Sequence, residues 1–149
     1  MLQRKQTLFL LLALVCTSAC LCLPVGVVRP IGMGSELLVF NLWMQTADGS
    51  PDFGVWPLFA ILIASVPLCI AAVAMYKRRP LQMALCTACM LTNMAWGVYY
   101  AVVFSAGRAD GLSPTLYAAL PMVSIILYFM ARQGIVHDEK LVRSADRLR

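Results

Sequence analysis

The sequence predicts an all-α membrane protein: a bundle of four transmembrane helices, a short extracytoplasmic β-hairpin or small sheet between helices 1 and 2, and a cytoplasmic C-terminal helix. Three observations carry this. The first is composition. The chain has 149 residues, enough for one integral membrane domain, of which 61% are hydrophobic and 13% charged. A soluble domain is about half apolar and about a quarter charged, so this much apolar surface on so short a chain needs lipid. The second is the arrangement of that surface. Four runs carry no charge: Gln6–Val28, Phe53–Tyr76, Pro80–Gly107 and Gly111–Ala131. At about 1.5 Å per helical residue, roughly 20 residues cross a hydrocarbon core about 30 Å thick, and every run is long enough.

The third is charge placement. Arg4, Lys5, Lys77, Arg78, Arg79, Arg132, Lys140, Arg143, Arg147 and Arg149 fall on one side of the spans, and only Arg29 and Arg108 on the other. Basic residues are retained in the cytoplasm, which places both termini there. An even number of spans agrees. The expected location is the bacterial cytoplasmic (inner) membrane.

The first span covers about residues 6–28. Its stretch Val15-Cys16-Thr17-Ser18-Ala19-Cys20 imitates a lipoprotein signal, but the apolar run continues past Cys20, and Thr17 stands where such signals usually carry Leu. A signal core is about 7–15 residues, so a retained span fits better. Pro24 is expected to bend or end this helix. The outer loop, 29–54, contains Glu36–Met44, rich in strand formers and bracketed by Gly32, Gly34 and Ala47–Pro51. A hairpin or small sheet is expected there, with an interfacial helix as the rival.

The second span, about 55–76, has Trp56 and Phe59 at one end and Tyr76 at the other, as membrane interfaces favour. Pro67 should kink it. Lys77-Arg78-Arg79-Pro80 forms a tight turn into the third span, about 81–104. The fourth span, about 113–132, is expected to start with Ser113 as N-cap and Pro114 at the first helical position. The tail, 133–149, reads as a separate basic helix capped by Asp138, with Leu141, Ala145 and Leu148 on one face. It suits anionic headgroups or a docking partner.

Cys86-Thr87-Ala88-Cys89 is a C-x-x-C pair, a possible redox site. Cys16 and Cys69 are expected at similar depth. Against chemistry, cysteine packs as a small apolar residue, and no cation lies within a turn of either thiol. Asn93 heads a stripe with Gly97, Ala101 and Ser105, small residues at a spacing that lets helices pack closely, although a substrate contact is the alternative for Asn93. Lys77, Arg78, Arg79, Arg143, Arg147 and Arg149 are candidate lipid or partner contacts. The one histidine, His137, lies in the tail, so no metal or haem site is legible, and no cofactor is implied. No phosphate loop, zinc spacing or Ser-His-Asp set appears.

The start Gln3-Arg4-Lys5-Gln6-Thr7, the Leu23-Pro24 pair, Trp56-Pro57 and the ending Asp138-Glu139-Lys140-Leu141-Val142-Arg143-Ser144-Ala145-Asp146-Arg147-Leu148-Arg149 carry a resemblance over the whole chain. It resembles a domain-of-unknown-function family of small four-span bacterial membrane proteins, known mainly from Bacteroidetes. The resemblance implies the same topology and supplies no catalytic residue.

The function expected from these features is that of a non-catalytic accessory or assembly subunit of a membrane complex. Its partners would be membrane lipids and another membrane protein or a second copy of the chain, with no nucleic acid. The alternatives are a membrane thiol redox enzyme and a small carrier or lipid-binding, permease-like module.

Overall fold

The computed structural model describes residues 2–29, 36–46, 48–76, 78–105 and 112–146. Four long helices dominate them: α1 (Leu2–Cys22), α2 (Trp56–Ala74), α3 (Arg79–Ser105) and α4 (Leu120–Asp146). All four are long and apolar enough to cross a membrane. Each packs on its sequence neighbours, and α4 returns to pack on α1.

The helix starts follow local chemistry. Pro57 and Pro80 stand in the first turns of α2 and α3, where no N–H is required of them. Pro67 is accommodated inside α2. The inward faces carry many small or polar residues, Ala13, Thr17, Ser65, Cys69, Cys86, Cys89, Asn93 and Ser124, beside a few large ones, Leu10, Leu58, Leu62, Trp96, Tyr128 and Ile135, all of them buried. Large aliphatics such as Val15, Ile70, Leu91, Val98 and Ile126 point outward. In hydrocarbon, burying a leucine against a helix gains little over leaving it in lipid, so close packing and internal hydrogen bonds select the small and polar residues for the interior. Thr17 Oγ1 donates to Ser124 Oγ at 3.2 Å, joining α1 to α4.

A five-stranded antiparallel sheet closes one end. Its strands are β1 (Gly26–Val28), β2 (Leu37–Val39), β3 (Met44–Gln45), β4 (Pro51–Asp52) and β5 (Leu112–Pro114), in the order β4-β3-β2-β1-β5. Gly26, Val27 and Val28 pair with Val39, Leu38 and Leu37 on one side and with Pro114, Ser113 and Leu112 on the other. Pro51 sits on the edge strand, where no ladder donor is missed. Gly49 takes a left-handed φ of +78° in the β3–β4 turn.

The sheet corrects three expectations and bears out one. The first span does not run to Val28: α1 stops at Cys22, because Pro24 has no N–H to continue it, and residues 26–28 extend into β1. The outer segment forms strands in its described residues, as expected, and not the rival interfacial helix. The sheet is not confined to the loop between helices 1 and 2, since β5 comes from the connection between α3 and α4. Ser113 and Pro114 are therefore strand residues and not a helix cap. The helix begins after them, through a 3₁₀ turn at Leu116–Ala119.

The opposite end corrects a fourth. The tail is not a separate helix with Asp138 as its cap. α4 runs unbroken through Arg132 to Asp146, and Asp138 lies inside it, held by a bond to Gln6 of α1. No glycine or proline after Arg132 combines with a turn to stop the helix, and Gly134 packs against the Gln6 side chain, its missing Cβ leaving only 3.0 Å to Gln6 Cγ. Leu141 of the proposed tail face is exposed; the side chains of Ala145 and Leu148 lie outside the described residues.

Candidate functional site

The end that holds the start of α1 and the end of α4, called here the termini end, contains a cavity of about 330 Å³. Gln6, Thr7, Leu8 and Leu11 of α1, Tyr76 just beyond α2, Arg79 and Gln82 of α3, and Ile135 and Asp138 of α4 line it. Each polar side chain stands within a turn or two of a helix end, where an otherwise apolar helix can admit one. Gln6 Nε2 donates to Asp138 Oδ2 at 2.5 Å, and Arg79 Nη1 donates to the Asp138 carbonyl at 3.2 Å. Asp138 Oδ1 is buried with no hydrogen-bond partner among the described residues. Gln82 is 5% exposed and makes no side-chain hydrogen bond among the described residues. The lining brings a guanidinium, two amides and a carboxylate together with aliphatic side chains. That suits the binding of a small amphiphile better than bond-making chemistry.

The sequence-predicted residues are distributed differently. Cys86 and Cys89 are both fully buried and share a core cluster with Cys69, Leu10, Ala13 and Tyr128. Cys69 Sγ donates to the Leu10 carbonyl at 3.4 Å, and Cys89 Sγ to the Ser65 carbonyl at 3.9 Å. Cys16 is only half-buried and stands outside that cluster, so three of the four inner cysteines come together. All six cysteines are free thiols.

The small-residue stripe divides. Asn93 is fully buried, donating from Nδ2 to the Cys89 carbonyl at 2.8 Å, with Oδ1 unpartnered. Gly97 is half-buried, and a Cβ there would meet Met122 Cε at 2.4 Å, so α3 and α4 approach closely at this point. Ala101 and Ser105 are exposed and do not pack between helices. Four-residue spacing overruns a 3.6-residue turn by about 40° per step, so a stripe that starts inward rotates outward within three or four steps. Trp96, Tyr100 and Val103 take the packed face instead, with the Trp96 and Tyr100 rings stacked at 5.1 Å.

Among the basic candidates, Arg78 is exposed and Arg79 is half-buried in the cavity wall. Lys77, Arg147 and Arg149 lie outside the described residues, as does the side chain of Arg143.

Sequence reasoning missed Gln6 and Gln82, and it assigned Asp138 to a cap. Their signal was present as isolated amides near the ends of apolar runs, but nothing linear joins positions 6, 82 and 138. It also missed Asn41 at the sheet end. This fully buried side chain donates from Nδ2 to the Cys20 carbonyl at 2.6 Å and accepts from Trp96 Nε1 at 2.8 Å. Its own carbonyl accepts from the Phe59 amide at 3.2 Å, so one residue ties the sheet to α1, α2 and α3.

A family model described as a domain of unknown function, DUF4293, matches residues 2–148. The chain belongs to that family. No curated protein matches it.

Proposed function

We propose that this DUF4293 protein is a four-helix bundle of the bacterial cytoplasmic membrane, with both termini in the cytoplasm and the sheet on the outer face. It acts as a non-catalytic accessory or assembly subunit. The ten-to-two division of basic residues supports the orientation. The observation that carries the role is the construction of the sheet end. Strands from two separate connections form one sheet, and Asn41, Tyr100 and Thr115 fasten it to the helices. That fastened sheet presents Leu42, Trp43, Gln45, Pro51 and Phe53 around a shallow depression, with Leu42 and Phe53 exposed. A rigid apolar surface beyond the helices serves recognition rather than reaction.

The test is affinity purification in mild detergent, with mass spectrometry of what co-purifies. Specific partners should be recovered with the native protein. Leu42→Asp with Phe53→Asp should lose them while leaving the melting temperature nearly unchanged. Partners retained by that double variant would remove the sheet from the contact. A second reading, a lipid-binding module, is favoured by the cavity between Gln6, Arg79, Gln82 and Asp138. The thiol redox alternative draws on the clustering of Cys69, Cys86 and Cys89, which are shielded from any large substrate.

A further inference from the structure

We propose that the termini-end cavity binds the headgroup of a phospholipid bearing a primary ammonium, a phosphoethanolamine lipid. The inference rests on the membrane placement above and adds a ligand to it. At about 330 Å³ the cavity lies at the small end of pockets that hold ligands, typically about 300–1,000 Å³, which suits a headgroup rather than a whole lipid.

The wall divides into two charged halves. Arg79 spends one N–H on the Asp138 carbonyl and has no ion pair among the described residues, so the rest of its fork is available to a phosphate. Gln82, 5% exposed and without a side-chain hydrogen bond, stands one turn along on the same helix as a second donor. Opposite in sign is Asp138. Gln6 occupies its Oδ2, and its Oδ1 is buried without a partner among the described residues, which is costly for a carboxylate oxygen. With a small turn of the carboxylate toward the cavity, an ammonium supplies the missing N–H; a trimethylammonium has none to give. A lone anion would meet repulsion from Asp138 and a lone cation from Arg79, so the pair selects a zwitterion. Leu8 and Leu11 line the same cavity and are about half exposed on the flank of α1, where acyl chains would lie.

The experiment uses the full chain purified in maltoside detergent, with native mass spectrometry after equal additions of diacyl phosphatidylethanolamine, phosphatidylcholine or phosphatidylglycerol. The native protein should hold the ethanolamine lipid about tenfold more strongly than the choline lipid, the equivalent of one charge-assisted hydrogen bond. Asp138→Asn should bring that ratio close to one, and Arg79→Gln should weaken both lipids. Equal binding of ethanolamine and choline lipids by the native protein overturns the proposal, and this comparison needs no variant to fold. A preference that survives Asp138→Asn in a folded protein also overturns it. Soluble glycerophosphoethanolamine should compete poorly; competition equal to the lipid's overturns the lipid assignment. Membrane fractionation separates the two levels. Recovery in the soluble fraction would sink the membrane placement itself, whereas membrane recovery without ethanolamine preference would sink this proposal alone.

Discussion

The two ends of the helical body treat their buried polar groups in opposite ways. At the sheet end they are consumed. Asn41 is bonded on both sides of its amide, Tyr100 Oη donates to the Val25 carbonyl at 2.9 Å, and Thr115 Oγ1 donates to the Pro24 carbonyl at 2.5 Å. At the termini end they are left open. Asp138 Oδ1 is buried without a partner among the described residues, and Gln82 lines a cavity. A satisfied network rigidifies, while an unsatisfied one carries a cost that a ligand can relieve. The difference sets a closed network at the first end against an open one at the second.

The sharpest way to break the comparison is at Asn41. Asn41→Ala removes the acceptor of the Trp96 indole N–H and the donor to the Cys20 carbonyl at a fully buried position. It should cost about 3 kcal/mol, two or more buried groups losing partners at once, read as a lowered melting temperature in detergent. A change no larger than that of an exposed residue would mean that the sheet end is not locked.

Next in size is the α3–α4 approach. Gly97→Leu should cost about 1–3 kcal/mol through overpacking against Met122, and Val98→Leu, at a position 65% exposed, less than about 0.5 kcal/mol. Because the obstacle is the flexible end of Met122, Met122→Ala should recover part of the loss. A strictly additive double variant would show that the two side chains do not meet.

At the termini end the effects should be smaller. Gln6→Leu removes the one hydrogen bond that the Asp138 carboxylate has and should cost about 1–2 kcal/mol, less than Asn41→Ala, because a cavity adjoins the orphaned group. A larger cost than at Asn41 would reverse the contrast between the ends. Cysteine alkylation ranks burial without perturbing stability. Cys22, exposed just short of the sheet, should label well before the fully buried Cys86 and Cys89, and mass-mapped labelling of the native protein checks the order. The smallest effect belongs to the Arg29–Glu36 ion pair. At 3.1 Å but well over half exposed on both partners, it should contribute about 0.5 kcal/mol or less, vanishing with added salt in a charge-reversal cycle.

Much of the helical layout was legible in the residues. Helices α2 and α3 lie within two residues of their expected limits, because Trp56-Pro57 and Arg79-Pro80 are strong local start signals. The helix ends that failed were those decided at a distance. Ser113-Pro114 is a good cap sequence, yet it is recruited as a strand by β1, more than 80 residues earlier. The break expected after Arg132 rested on the onset of charge, which does not stop a helix when one of those charges, Asp138, finds a partner on α1.

The sequence by itself determined that four apolar segments of spanning length exist, that proline ends the first of them near Pro24, and that strand formers follow. These follow from side-chain hydropathy, helix rise and the missing proline N–H, which act within a turn or two of the chain. Only the tertiary structure decided that β5 joins β1, that Asn41 sits under Trp96, that the stripe from Asn93 leaves the interior by Ala101, and that Gln6, Arg79, Gln82 and Asp138 share a cavity. Each of these depends on which helix faces which and at what rotation. In apolar helices with aliphatic residues on every side, that choice is made by sparse polar contacts and close fits between distant segments, and a linear pattern does not contain their pairing.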